Sequence, residues 1–189
     1  MDAMWPDIVP SAAVNSLNQS VYFLRRVFEP EYSDDSSAGY VRQDSDLLWL
    51  DTTLIESASS RCSRLLAELE RTRDANAAVA LSEAYTERFA LDFAYEEWAT
   101  DYRDWLHVSC IRVLENEVGR LANEGAYEMG IAVARRALQS DPRNEALEAS
   151  LLRLLRGYGA HAAASEQYAR YSNLLRRDLG LDPPPLDEI

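Results

Sequence analysis

The 189-residue sequence contains no lysine; all 19 basic residues are Arg, set against 32 Asp plus Glu. At a formal net charge of −13 the whole chain is a poor nonspecific ligand for nucleic acid, because phosphate contacts come from Lys and Arg. An all-Arg basic set beside abundant Ala points to a coding bias rather than a mechanism. Only two cysteines occur, Cys62 and Cys110, far apart and both in helical patterns. This excludes a disulfide framework and suits reduced thiols in a cytosolic protein. The two histidines, His107 and His161, lack metal-ligand spacing such as H-E-x-x-H, so no metal site is expected. Seven glycines make no Gly-rich phosphate loop. No run of about 18 apolar residues occurs, which excludes a membrane span and a membrane partner. The opening Met1-Asp2-Ala3-Met4-Trp5-Pro6 is acidic and short of an apolar core, unlike a signal peptide. Glu96 and Glu97 adjoin on a helix and point to different faces, so they form no acid/base pair. With no nucleophile singled out beside a base, the expectation is a non-enzymatic chain without a cofactor.

What is present is a 47% hydrophobic, 27% charged sequence, long enough to bury a core as one domain or one domain plus a fragment. Neither part of it is basic. Residues 1–52 carry three Arg (Arg25, Arg26, Arg42) and nine acids, a net −6; residues 53–189 carry 16 Arg and 23 acids, a net −7. Any contact with DNA would be local.

The first helical stretch runs from Ser11, a candidate N-cap after Pro10, to Phe28. Val14, Leu17, Val21, Leu24 and Phe28 form one apolar stripe, with Asn15, Asn18, Gln19, Tyr22, Arg25 and Arg26 on the other face. Glu29-Pro30 ends it, and the polar, Ser-rich segment 31–38 reads as a flexible loop. Gly39-Tyr40-Val41-Arg42 and Leu47-Leu48-Trp49-Leu50, around a polar turn Gln43-Asp44-Ser45-Asp46, predict a β-hairpin, the one convincing pair of strands.

From Asp51 onward the pattern is helical. Asp51, Thr52 or Thr53 would cap a helix over about 54–72, and Asp74 one over about 75–88. An aromatic-rich link follows over 89–95. A long helix from about Glu96 to Asn123 is stopped by Gly125. Leu121-Ala122-x-x-Gly125 then recurs as Leu155-Arg156-x-x-Gly159, 34 residues on. Tyr127, Ala134, Ala137 and Asp141-Pro142 sit at tetratricopeptide (TPR) spacing after the first copy, Ala164 and Tyr168 after the second. Gly lets antiparallel helices turn sharply, small residues let them approach, and Pro starts the next helix. Gly130 replaces a usual Ala, and Tyr171 occupies a small-residue position. The next helix spans Asn144 to Arg156, and the last is ended by Gly180 with Pro183-Pro184-Pro185. Two copies are fewer than a stable stack needs, so the helices over 54–88 serve as a degenerate first pair. The fold class is mainly α, a TPR-like stack of antiparallel helix pairs behind one helix and a short hairpin.

This order of features resembles a known family. Trp5-Pro6-Asp7, Ser16-Leu17-Asn18-Gln19 and Leu24-Arg25-Arg26 resemble the last helix of an OmpR-type winged-helix DNA-binding domain, in the version found in SARP- and AfsR-type bacterial activators. Phe89-Ala90-Leu91-Asp92-Phe93-Ala94-Tyr95-Glu96-Glu97-Trp98, Tyr102-Arg103-Asp104-Trp105-Leu106-His107, Gly125-Ala126-Tyr127-Glu128, Asp141-Pro142-Arg143-Asn144-Glu145, Gln167-Tyr168 and the closing Leu179-Gly180-Leu181-Asp182-Pro183 resemble the bacterial transcriptional activator domain (BTAD) of those proteins. Glu87 stands near where that family usually has Gly. The resemblance implies a partial winged-helix segment over 1–52 and a TPR-like activator domain over 53–189. In the family, strands and two helices precede the recognition helix, and this chain has no room for them.

On that resemblance 11–28 is the recognition helix and 39–50 the wing. Asn15, Asn18, Gln19, Tyr22, Arg25, Arg26 and Arg42 are then the DNA-contacting candidates: Asn and Gln suit adenine edges, Arg suits guanine or phosphate. DNA is implied as a partner only with the rest of the winged helix, and a protein partner or self-association through the helical stack. Tyr127, Tyr158, Tyr168 and Tyr171 either line a peptide-gripping groove or act as inter-helix spacers. Trp98, Tyr102 and Trp105, at i, i+4 and i+7, read first as a packing stripe and second as a stacking platform. The alternative for the whole chain is a TPR-type interaction scaffold with no DNA role.

Overall fold

Helices form where the apolar stripes recur and where a polar side chain or a glycine can finish them. The structure, a computed structural model, describes residues 7, 9–33, 36–44 and 47–188. It divides into two compact units, Met1–Glu56 and Ser57–Ile189.

The first unit holds helix α1 (Pro10–Phe28) and strands β1 (Val41–Asp44) and β2 (Leu47–Leu50). Pro10 opens α1, since its missing N–H falls where a helix has no internal acceptor for one. The preceding residue is therefore Val9, which makes no side-chain cap, and Ser11 is not the N-cap. Of the apolar stripe only Val21 is fully buried, joined by Ala13, while Val14, Leu24 and Phe28 stay exposed. The reason is size: the described part of this unit offers a two-stranded hairpin against a 19-residue helix. The strands are antiparallel, with Val41 opposite Leu50, Arg42 opposite Trp49, Gln43 opposite Leu48 and Asp44 opposite Leu47. Trp5, Pro6, Asp34, Asp35 and the turn residues Ser45 and Asp46 lie outside the described residues. The segment expected to be a loose loop is tied at its described ends. The Glu29 carboxylate accepts from the Ser37 hydroxyl (2.9 Å) and the Ala38 N–H (3.1 Å), and the Tyr32 N–H donates to the Glu29 carbonyl.

The second unit holds α2 (Ala58–Thr72), α3 (Ala75–Ala84), α4 (Glu97–Asn123), α5 (Tyr127–Ser140), α6 (Glu145–Gly157) and α7 (His161–Leu179). α2 begins later than the expected residue 54. The Asp51 carboxylate accepts from the Thr53 N–H (2.9 Å) and hydroxyl (2.6 Å), closing a local turn, and Ser57 caps instead through the Ser60 N–H. α3 starts as expected behind Asp74, whose carboxylate accepts from the Asn76 N–H. It stops at Ala84 rather than 88, because Tyr85 turns inward and is buried.

α2, α4 and α6 pack in one row, α3 beside α5 in another, and α7 lies against α6. This is the layering of stacked helical hairpins, with α2 and α3 as the first pair. α4 is shared by most of it, burying Leu106, Cys110, Leu114, Val118 and Leu121 among α2, α3, α5 and α6. The sequence repeat is a repeat of turns. Gly125 (φ +74°) and Gly159 (φ +82°) both enter the left-handed region, and after each a six-residue bond closes the helix, Ala126 N–H to Leu121 carbonyl (2.9 Å) and Ala160 N–H to Leu155 carbonyl (2.8 Å). Gly130 sits where α5 crosses α6: a Cβ there would lie 2.9 Å from a terminal carbon of the fully buried Leu154. Asn144 caps α6, accepting from the Leu147 N–H (2.9 Å) while donating to Glu115 of α4 (2.6 Å).

Gly125→Ala and Gly159→Ala are each expected to cost about 1–2 kcal/mol, because Ala must adopt a left-handed backbone. Gly119→Ala, inside α4 with no atom near the new Cβ, is expected to gain about 0.5–1 kcal/mol. Urea denaturation of the three variants checks the order.

Candidate functional site

On α1 the residues Asn15, Asn18, Gln19, Tyr22 and Arg26 are all exposed, while Ala13 and Val21 of the same helix are buried. Arg26 curls back, its Nε donating to the Pro30 carbonyl (3.2 Å) and its guanidinium lying 5.9 Å from the Tyr22 ring centre. Arg25 is used inside the unit. Its Nε donates to the Val41 carbonyl of β1 (3.3 Å), its Nη1 to the Tyr32 hydroxyl (2.9 Å), and the guanidinium covers the Tyr32 ring. It ties helix to hairpin. Arg42 on β1 is half exposed and paired with Asp51 (2.9 Å). Thr53 and Arg42 together hold that carboxyl below the usual carboxylate range, the Thr53 hydroxyl first. The set thus forms an Asn/Gln/Tyr strip flanked by three Arg that already have protein partners.

In the second unit the four tyrosines separate. Tyr127 lies between two adjoining clefts, of about 380 and 410 Å³. Glu128, Met129 and Tyr158 line the first with it, while Ser150, Arg153 and Gly157 line the second. The Tyr127 ring rests on Gly157, where a Cβ would come within 2.6 Å. Tyr158 is exposed and donates to the Glu128 carboxylate (2.5 Å), which raises its own pKa. Tyr168 points to the C-terminal segment, its hydroxyl donating to the Pro184 carbonyl (3.0 Å). Tyr171 is only 8% exposed and packs inside α7's buried side, so it presents no groove surface. Tyr127 and Tyr158 alone of the four come together.

Two polar centres fall in the stretch 102–107 quoted for the family resemblance, but nothing in the sequence marked their structural part. Arg103 is buried without a carboxylate partner among the described residues. Its Nε donates to the Phe89 carbonyl (2.8 Å), Nη1 to Ala94 (3.3 Å), and Nη2 to Ala90 (3.1 Å) and Phe93 (2.8 Å). One planar fork thus gathers the whole aromatic-rich link. The second centre is His107. Arg88 can only donate, so its 3.0 Å contact makes Nε2 the acceptor and leaves the proton on Nδ1, facing the Tyr85 hydroxyl at 2.8 Å. Asp141 lies 3.8 Å from Nε2. Burial and then Arg88 push the imidazole below its ordinary value, against the pull of Asp141 and Asp104. The cluster joins the ends of α3 and α5 to the middle of α4. Cys110 is fully buried, and burial raises its thiol to about 12, far from a reactive thiolate. The expected packing stripe is corrected: Tyr102 is half-buried, but Trp98 and Trp105 are exposed.

These features define a helical-hairpin repeat protein whose polar interior holds loops and helix ends in place. The chain belongs to the bacterial transcriptional activator domain family, which matches residues 50–186. No curated protein matches it significantly. No helix among the described residues is long and apolar enough to cross a membrane.

Arg103→Met is expected to cost on the order of 3 kcal/mol, since buried carbonyls lose a charged donor, and to open 89–95 to limited proteolysis. His107 takes up its proton less readily folded than unfolded. Its contribution is therefore complete above the ordinary imidazole value of 6.5 and falls as pH drops through 6.5 toward the lower folded value. Urea midpoints at pH 8 and pH 5.5 should show the advantage of the parent over His107→Gln shrinking at the lower pH.

Proposed function

We propose that the chain is a non-enzymatic transcription-regulator module that works by surface recognition. Residues 53–189 act as the TPR-like activator domain, making protein–protein or intramolecular contacts. Residues 1–52 act as the recognition helix and wing of a DNA-binding winged helix. The family membership supports the regulatory role. The observation that carries the DNA-reading part is α1 itself. Its polar side is rich in Asn, Gln and Arg, while Val14, Leu24 and Phe28 of its apolar stripe stay 36–40% exposed, as in a piece of a larger core. The same exposed apolar residues argue for a partner surface that completes the domain before DNA is bound. The clefts beside Tyr127 and Tyr158 are the proposed protein-binding groove of the stack.

The net −6 of residues 1–52 favours the other reading, a TPR-type scaffold with no DNA role. An electrophoretic shift assay with duplex DNA at low salt, on the chain expressed with whatever coding sequence lies upstream of Met1, separates the two. Salt-dependent binding that weakens about tenfold or more on Asn18→Ala with Gln19→Ala supports DNA reading. No shift at any salt supports the scaffold.

A further inference from the structure

The aromatic-rich link and the first turns of α4 form one continuous ladder of rings. Phe93 meets Trp98 at 5.7 Å between ring centres, Trp98 meets Phe89 at 6.5 Å, Phe89 meets Tyr102 at 4.9 Å, and Tyr102 meets Trp105 at 5.5 Å. The outer members are open to solvent: Phe93 is 52% exposed, Trp98 64% and Trp105 49%. Leaving such large apolar rings in water forfeits burial that a protein interior would reward, and clustered exposure of this kind marks an interaction surface. The rings are also held in place. Arg103 fixes the link from beneath through four carbonyls, and the Tyr102 hydroxyl meets Ser63 of α2 at 3.2 Å. A surface so fixed loses little freedom when a partner arrives.

Charge selects the partner. Glu97, Asp101 and Asp104 follow the same i, i+4, i+7 spacing as Trp98, Tyr102 and Trp105, one residue earlier, so a carboxylate stripe runs parallel to the aromatic stripe, about 100° around the helix. Asp92 in the link and Glu96 just before α4 are two further exposed carboxylates. All five acids are exposed, and none is in an ion pair among the described residues. Arg103 is the one Arg between residues 89 and 111, and it is turned inward; Arg88, just before, is engaged at His107. Such a face repels phosphate and anionic lipid. It also repels a second copy of itself, in a chain whose net charge is −13. Exposed Trp and carboxylates together suit a cationic group, which the ring faces and the acids both attract.

We propose that the Phe93–Trp98–Trp105 face of α4 docks a cationic amphipathic helix of a protein partner. The apolar side of that helix lies over the rings, and its Lys or Arg side chains reach Glu97, Asp101 and Asp104. The surface shares no residue with the α1 strip or the Tyr127 cleft, so it stands or falls independently of DNA binding.

The test uses the full chain and three synthetic peptides: an amphipathic Leu–Lys helix, its scrambled non-amphipathic counterpart, and an amphipathic Leu–Glu helix. Binding is read by peptide anisotropy and tryptophan fluorescence. The Leu–Lys helix is expected to bind best, more weakly as salt rises, and at least about tenfold more weakly to Trp98→Ala with Trp105→Ala. Glu97→Gln with Asp101→Asn, which leaves the rings intact, is expected to lower both affinity and salt dependence. Circular dichroism confirms that the variants fold. Equal binding of the Leu–Glu or scrambled peptide, unchanged affinity in both variants, or a parent dimer that Trp98→Ala dissociates would overturn the proposal.

Discussion

A guanidinium that faces only backbone oxygens is costly to bury, and the shape of the second unit rests on one. Arg103 gives up water and, among the described residues, receives no carboxylate in return, only the carbonyls of Phe89, Ala90, Phe93 and Ala94. Desolvating an ion costs several kcal/mol, and hydrogen bonds to a charged group return about 1.5–3 kcal/mol each. Four acceptors in the fixed fork of one side chain are enough to balance that cost; the three tetrahedral donors of a lysine would not span the same set. The consequence reaches outward in both directions. Drawing these carbonyls onto α4 takes residues 89–94 out of any α-helix, so α3 must finish before them. It also fixes where Trp98 stands, because Phe89 and Phe93 are then held against it.

Behind that clamp the stack obeys a simple rule of approach. Helices can lie close only where side chains are small, and the turns between them can be short only where the backbone turns left-handed. Gly125 and Gly159 meet the second condition, Gly130 and Gly157 the first. The buried acids also join elements. Glu117 has no exposed side-chain area and is held by Arg73 and Arg120, joining α4 to the end of α2. Glu148 accepts from Gln167 of α7 (2.8 Å), and its burial raises its pKa. Its carboxyl therefore holds a proton to higher pH when folded than when unfolded, so it subtracts from stability as pH rises past the ordinary value. It serves as a link between α6 and α7 more than as a source of stability.

The repeat was readable because its physics is local. Gly125 and Gly159 end their helices through a left-handed turn that depends only on nearby backbone, and α4 and its turn lie within a residue of where the pattern places them. The start of α2 was not readable, because Asp51 and Ser57 compete as caps and only the three-dimensional turn at Thr53 decides. The site was harder still. Periodicity says that Trp98, Tyr102 and Trp105 share a face but not whether another element covers it. For the same reason the sequence left Tyr171 open between a groove residue and an inter-helix spacer, and the structure buries it. Arg25 and Arg103 are invisible as structural residues in sequence, since they reach backbone carbonyls, which every residue carries. The family resemblance supplied the class of protein but not these contacts.

The distribution of arginine bears on how such a chain can recognise anything. Arg25, Arg42, Arg103, Arg120 and Arg143 are bound to acceptors of their own unit, and Arg73 to the buried Glu117. Each of these cations is already neutralised in part by its own acceptor, though Arg42, Arg73 and Arg143 stay more than half exposed, so the long-range field is set by the excess acids. A DNA reader built on this chain would need its specificity from the neutral Asn and Gln of α1 and its attraction from elsewhere. Both parts are acidic, net −6 over residues 1–52 and net −7 over residues 53–189, so long-range attraction of a cationic protein surface is open to either.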